Sequence, residues 1–180
     1  KYRGICHYRE YKSYKLVKET AVNPAINILN KTKVVKLMQN FKPEGQTILT
    51  PSNRAALSSP NALHEACITN ETLEARALLC DKEHNLRVDL GCMYGIIQHN
   101  EGALGIDDGS VRDIALISRV NKPVMFKIIG FQKDENDREY AILSRKAVQR
   151  ECMDNYISRL CPGDVITAKV THMENFGVFL

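Results

Sequence analysis

Val124-Met125-Phe126-Lys127-Ile128-Ile129-Gly130-Phe131, residues 124–131, is the most strand-like stretch of the chain. β-branched and aromatic side chains dominate it, and such residues suit a pleated, half-buried surface. The acidic turn Lys133 to Asp137 follows and leads into a second strand, Tyr140-Ala141-Ile142-Leu143. Working upstream, Leu73 to Leu79 reads as a strand and Asp81 to Asn85 as a polar turn. Leu86-Arg87-Val88-Asp89-Leu90 is a strand with alternating apolar positions that Gly91 ends. Tyr94-Gly95-Ile96-Ile97 is a short third strand, after which Gly102, Gly105 and Asp108-Gly109 break the chain. Arg112 to Val120 carries a further apolar run, a candidate sixth strand. Five or six short strands with polar turns and little helix between them predict a small barrel, because closure removes the exposed edges of a sheet.

Helical signals flank this barrel. Ser59-Pro60 offers an N-cap with proline at the first helical position, and Leu63, Ala66 and Cys67 share one face of a short helix. Ser144 caps a second helix in which Val148, Cys152, Tyr156 and Leu160 recur every four residues beside Met153 and Ile157. Such a stripe predicts a helix packed between neighbouring domains, and Cys161-Pro162-Gly163-Asp164 stops it. Phe41 to Ser59, rich in Pro, Ser, Thr and Asn, reads as a linker. The sequence before Met38 has little period and many Lys, Tyr and Asn; Met38 reads as a candidate start, and both ends of the chain read as cut.

Length and composition narrow the function classes. The 180 residues are 44% hydrophobic, enough for one or two small cores, and no run is long and apolar enough to cross a bilayer. Cys6, Cys67, Cys80, Cys92, Cys152 and Cys161 form no C-x-x-C pair, so reduced thiols in a cytoplasmic protein are expected. The net charge of +4 is uneven: residues 1–42 hold ten Lys/Arg against two Glu, whereas residues 43–180 hold fifteen basic against nineteen acidic side chains. Any nucleic-acid site in the folded part is therefore local. No catalytic constellation stands out. The His residues are dispersed, and the carboxylates of Asp107-Asp108 and Asp134-Glu135-Asp137 sit in turns where solvation explains them. No enzyme, cofactor or metal site is expected.

The chain also repeats itself. Glu74–Val88 and Ile166–Leu180 share one pattern without gaps at an offset of 92 residues: apolar strand, polar turn, alternating strand. That spacing suits a tandem array of barrels joined by helices.

In the second copy, Pro162-Gly163-Asp164-Val165-Ile166-x-Ala168-Lys169-Val170 followed by Glu174-Asn175-Phe176-Gly177-Val178-Phe179-Leu180 resembles the start of the S-one domain. That family is the RNA-binding repeat of the bacterial ribosomal protein S-one, found also in exoribonucleases. In the first copy, Val88-Asp89-Leu90-Gly91-Cys92 and Gly95-Ile96-Ile97-x-x-x-Glu101 are similar to its motifs. So are Val120-Asn121-x-x-Val124-x-x-Lys127-Ile128 and Ala141-x-Leu143-Ser144-x-Lys146. The resemblance implies a mainly β protein: a five-stranded antiparallel barrel of the oligonucleotide-binding (OB) type with flanking helices, then the first two strands of a second barrel. Residues 1–58 become an N-terminal extension and linker, partly disordered, and 59–146 the first barrel with its leading helix. Residues 147–161 become a linker helix and 162–180 the start of the second barrel.

The implied ligand is single-stranded RNA or mRNA, with proteins of the small ribosomal subunit as further partners and no small-molecule substrate or membrane. By alignment Phe176 and Phe179 take the family's two ring positions, where bases stack, and Lys169 would meet phosphate. In the first barrel His84 and Arg87 stand at those ring positions, and Gln98, Lys127 and Tyr140 complete the implied RNA-binding set. The alternatives are an accessory module of a larger enzyme, such as an exoribonuclease or a metabolic fusion protein, and a protein-docking barrel with no RNA role.

Overall fold

The computed structural model describes residues 41–165, 170 and 172–179. The expectations for residues 1–37, for Met38 and for Lys169 lie outside these. The described chain divides into two units, Glu44–Leu160 and a second that includes the residues from Cys161 onward.

In the first unit, β1 (Leu73–Cys80), β2 (Leu86–Asp89), β3 (Tyr94–Ile97), β4 (Pro123–Lys133) and β5 (Glu139–Ser144) close into a barrel in the order β1-β2-β3-β5-β4. β1 pairs with β4 through Leu73↔Phe126 and Ala75↔Val124, which completes the ring. The antiparallel expectation is corrected at one seam: β3 and β5 run parallel, with Ile96 opposite Ile142. The connection that includes β4 turns the chain round between them, so β5 returns in the direction of β3. Alternation drives closure. Leu73, Ala75, Ala77, Leu86, Val88, Ile97, Val124, Phe126, Ile128, Ala141 and Leu143 are buried in one core.

Gly95 is inward-facing where only hydrogen fits: a Cβ there would stand 2.4 Å from Leu143 Cδ1. α1 (Pro51–Ala56) and α2 (Pro60–Ile68) precede the barrel, α3 (Ile114–Ile117) lies between β3 and β4, and α4 (Arg145–Asn155) follows β5. Leu63 and Ala66 of α2 and Leu116 of α3 join the core. The Ser59 and Ser144 caps form as expected, each hydroxyl accepting the backbone N–H three residues on, 3.2 Å from Ala62 N and 2.9 Å from Ala147 N.

Three expectations change. Arg112 to Val120 is no strand. It contains the single turn α3, which buries Leu116 and leaves Ile114 and Ile117 exposed, a helical rather than a two-residue rhythm.

The stretch Phe41 to Ser59 is not a linker from Glu44 onward. Thr50 caps α1, and the buried Asn53 amide grips β1 by accepting from Glu74 N and donating to Glu74 O, both at 2.8 Å. In the same place the buried Glu74 carboxylate accepts from Gly45 N, from Thr47 N at 2.7 Å and from Thr47 Oγ1 at 2.6 Å. Polar composition here serves tertiary hydrogen bonds that saturate buried backbone.

The helix expected to link domains over 147–161 begins at Arg145 and packs on β4 of its own barrel. Its regular part ends at Asn155, before a 3-10 turn over Ile157–Arg159.

In the other unit, β6 (His172–Glu174) and β7 (Gly177–Phe179) form a hairpin closed by Asn175-Phe176. At the 92-residue offset this pairing is one residue out of register with β1–β2, where Cys80 faces Leu86. No helix among the described residues is long and apolar enough to cross a membrane.

Candidate nucleic-acid interface

The barrel's outer surface brings together side chains from three strands. On β2, β3 and β5 the residues that alternate with the core point outward: Arg87 and Asp89, Tyr94 and Ile96, Tyr140 and Ile142. Register aligns them in rows, with Arg87 opposite Ile96, Asp89 opposite Tyr94, and Ile96 opposite Ile142.

The result is a three-layer stack. The Arg87 guanidinium carbon stands 4.1 Å from the centre of the Tyr94 ring, a cation–π contact. The rings of Tyr94 and Tyr140 lie 5.1 Å apart and 7° from parallel. Their hydroxyls anchor the rings: Tyr94 donates to Asp134 Oδ2 at 3.3 Å and Tyr140 to Gln132 Oε1 at 2.9 Å. Partial burial, and then the Asp134 carboxylate, raise the Tyr94 phenol above its ordinary range, which reinforces its neutral, donating form.

Tyr140 also lines a shallow open groove of about 490 Å³, with Ile96 and Ile142 as its apolar floor and Asn85, Gln98, His99 and Asn100 among its polar walls. Amide and imidazole groups over an apolar floor can both stack on a planar ligand and read its polar edge.

At one end of this surface three loops meet. Asp81 organises the β1–β2 turn by accepting from Glu83 N at 2.9 Å and Asn85 N at 2.8 Å, and His84 takes a left-handed conformation (φ 63°) within it. Asn85 then bridges outward, its Oδ1 accepting from His99 N at 3.0 Å. Asp113, the N-cap residue of α3, makes no side-chain cap bond. Its carboxylate meets His99 Nε2 at 2.7 Å and His84 Nδ1 at 3.3 Å.

The His99 hydrogen bond, helped by the fields of His84 and His99, holds the Asp113 carboxyl below its usual range. A depressed folded value contributes stability that is complete above the unfolded value, about 3.9, and is lost as pH falls through the folded one. Denaturant titrations from pH 5 downward should therefore show a shallower acid loss in Asp113→Asn. Asp81, Asp108 and Asp134, which are depressed as well, contribute to the slope that remains.

The structure sorts the RNA-binding set expected from sequence. Arg87, Gln98 and Tyr140 share the stacked face or its groove, and His84 lies at its end. Lys127 does not belong to it. Residues 124–128 of β4 are all buried, because the interior covers one side and α4 the other, and Lys127 Nζ is held 2.6 Å from Glu151 of that helix. Phe176 is 71% exposed in the β6–β7 turn, and Phe179 lies on β7 opposite His172. Tyr94 and the joining of His99 and Asp113 to His84 were missed from sequence. Alternation around Gly95 marks Tyr94 as outward-facing, but its place beside Arg87 depends on strand register. No protein-family model matches this chain, and no curated protein matches it.

Proposed function

We propose that the chain binds single-stranded RNA, in the manner of an S-one-like protein with tandem OB-type barrels, and that the Arg87–Tyr94–Tyr140 face of the first barrel is one contact surface. The stack beside the groove floored by Ile96 and Ile142 is the observation that carries this reading. Barrels of the OB type use the face of strands 2 and 3 and the loops joining strands 1–2 and 4–5 for oligonucleotides. Here Arg87 lies on β2, Tyr94 on β3 and Asn85 in the β1–β2 turn, while Asp134 of the β4–β5 turn fixes the Tyr94 hydroxyl.

Free single strands offer base faces to aromatic rings, and the face of Tyr140 toward the groove suits one. Charge contributes less. Arg87 is the cation of this stack, whereas Glu83 in the groove wall and Asp113 at its end oppose phosphate. Stacking should therefore outweigh counterion release.

Titration of the whole chain with fluorescent single-stranded RNA over a range of salt tests this. One or two phosphate contacts give a slope of log affinity on log salt of about −0.7 to −1.4. Binding that prefers duplex RNA, or no binding at low salt, would remove the proposal.

Exposed Leu78 and Leu79 on β1 and Ile129 on β4 favour a second reading, a barrel that docks on protein. RNA binding that survives Tyr140→Ala unchanged, together with ribonuclease-resistant association with a protein partner, would support that reading.

A further inference from the structure

We propose that His84, His99 and Asp113 form a binding site for one divalent transition-metal ion of the zinc class. The ligand atoms of the three side chains all lie within 4.8 Å of one another, so an ion with bonds of about 2.0–2.2 Å reaches all three after small side-chain rotations. Each residue comes from a different segment. His84 belongs to the β1–β2 turn, His99 to the 3-10 turn after β3, and Asp113 to the start of α3.

The donor set decides the class of ion. Two imidazoles and one carboxylate suit zinc, nickel or copper, whereas calcium and magnesium take oxygen shells. All three side chains are between one third and one half exposed, so an ion can enter from solvent.

Two features show that the site is held in place before metal arrives. The His84 turn is tied by Asp81, and Asn85 joins that turn to the His99 backbone while donating to Asp81 Oδ2 at 3.0 Å. Asp113 forgoes capping its helix and turns its carboxylate to the two imidazoles. Without metal, Asp113 is held by His99 Nε2 at 2.7 Å and His84 Nδ1 at 3.3 Å. Metal entry exchanges these two contacts for three coordinate bonds, and the proton shared between an imidazole nitrogen and the carboxylate moves to the other ring nitrogen or to solvent. Three protein ligands leave a tetrahedral ion one position for water or for a phosphate oxygen. Because His99 also lines the groove, that ion would stand at the groove's edge and offset its acidic wall. Metal binding itself does not depend on the nucleic-acid reading.

The experiment titrates the tag-free full chain with Zn²⁺ against a chromophoric chelator, with circular dichroism as the check on folding. One ion per chain is expected. His84→Gln, His99→Gln and Asp113→Asn should each weaken binding at least about tenfold, and Asn85→Ala about tenfold through lost positioning. Tyr140→Ala should leave it unchanged, which separates this site from the stacking face. With Co²⁺ the visible spectrum should show ligand-field bands without thiolate charge transfer. No Zn²⁺ uptake by the parent chain, equal affinity in the folded His84→Gln/His99→Gln double variant, or a thiolate band would each overturn the proposal.

Discussion

Glu44→Ala should lower the stability of the barrel unit by about 3–5 kcal/mol, the usual consequence of removing one partner from a desolvated ion pair. The Glu44 carboxylate gathers three elements that are distant in sequence. Arg145 at the start of α4 donates to it twice, Nε to Oε1 at 2.7 Å and Nη2 to Oε2 at 3.0 Å. Arg119, beyond α3, donates Nη1 to Oε2 at 3.0 Å, and Met125 N of β4 donates to Oε1 at 3.2 Å.

Only a tenth of the Arg145 side chain is exposed, so alanine at position 44 strands a guanidinium whose remaining partner among the described residues is the Gly102 carbonyl at 3.2 Å. Arg119 is about one third exposed, so water replaces much of its share. Urea unfolding followed by circular dichroism measures the effect. Glu44→Leu combined with Arg145→Met should recover much of the loss, because removing both charges leaves neither stranded. A loss below 1 kcal/mol in Glu44→Ala would mean that water screens the cluster.

Tyr140→Ala should weaken single-stranded RNA binding by about 1–3 kcal/mol for the base it stacks, roughly 5- to 150-fold. Tyr140→Phe retains the ring, losing only the hydroxyl bond to Gln132, and should stay close to the parent chain. Tyr94→Ala removes the central layer and with it the platform under Arg87, so its loss should equal or exceed that of Tyr140→Ala. Both rings are half-buried on the outer surface, and the barrel core beneath them is formed by other side chains. The folded state should therefore persist in both variants, which unfolding curves check. Fluorescence anisotropy at one fixed salt concentration reads the affinities, and parent-like binding by both alanine variants would exclude stacking at this face.

Much of the barrel was legible as period-two burial. Leu86 and Val88 alternate inward against Arg87 and Asp89; on β5 Ala141 and Leu143 join the same core, although Ile142 between them is also buried. Ser59-Pro60 and Ser144 announced their helices because a cap is a local hydrogen bond, readable within three residues. Arg112 to Val120 misled for the opposite reason. A short apolar run has no decisive period, and only packing of Leu116 into the core selects a helical turn.

Local sequence thus determined where the five barrel strands lie, much of the apolar set that faces the core and where α2 and α4 are capped, since those choices depend on neighbours a few residues apart. Tertiary structure alone decided which polar residues have buried partners and which surface residues form a site. Asn53 and Glu44 look like linker residues until β1 and Arg145 arrive, and Lys127 looks like a phosphate contact until Glu151 covers it. Tyr94 meets Tyr140, and His84 and His99 meet Asp113, through strand register and loop closure. Separations of 14 to 46 residues carry no local signal; closing the barrel brings these side chains within reach of one another.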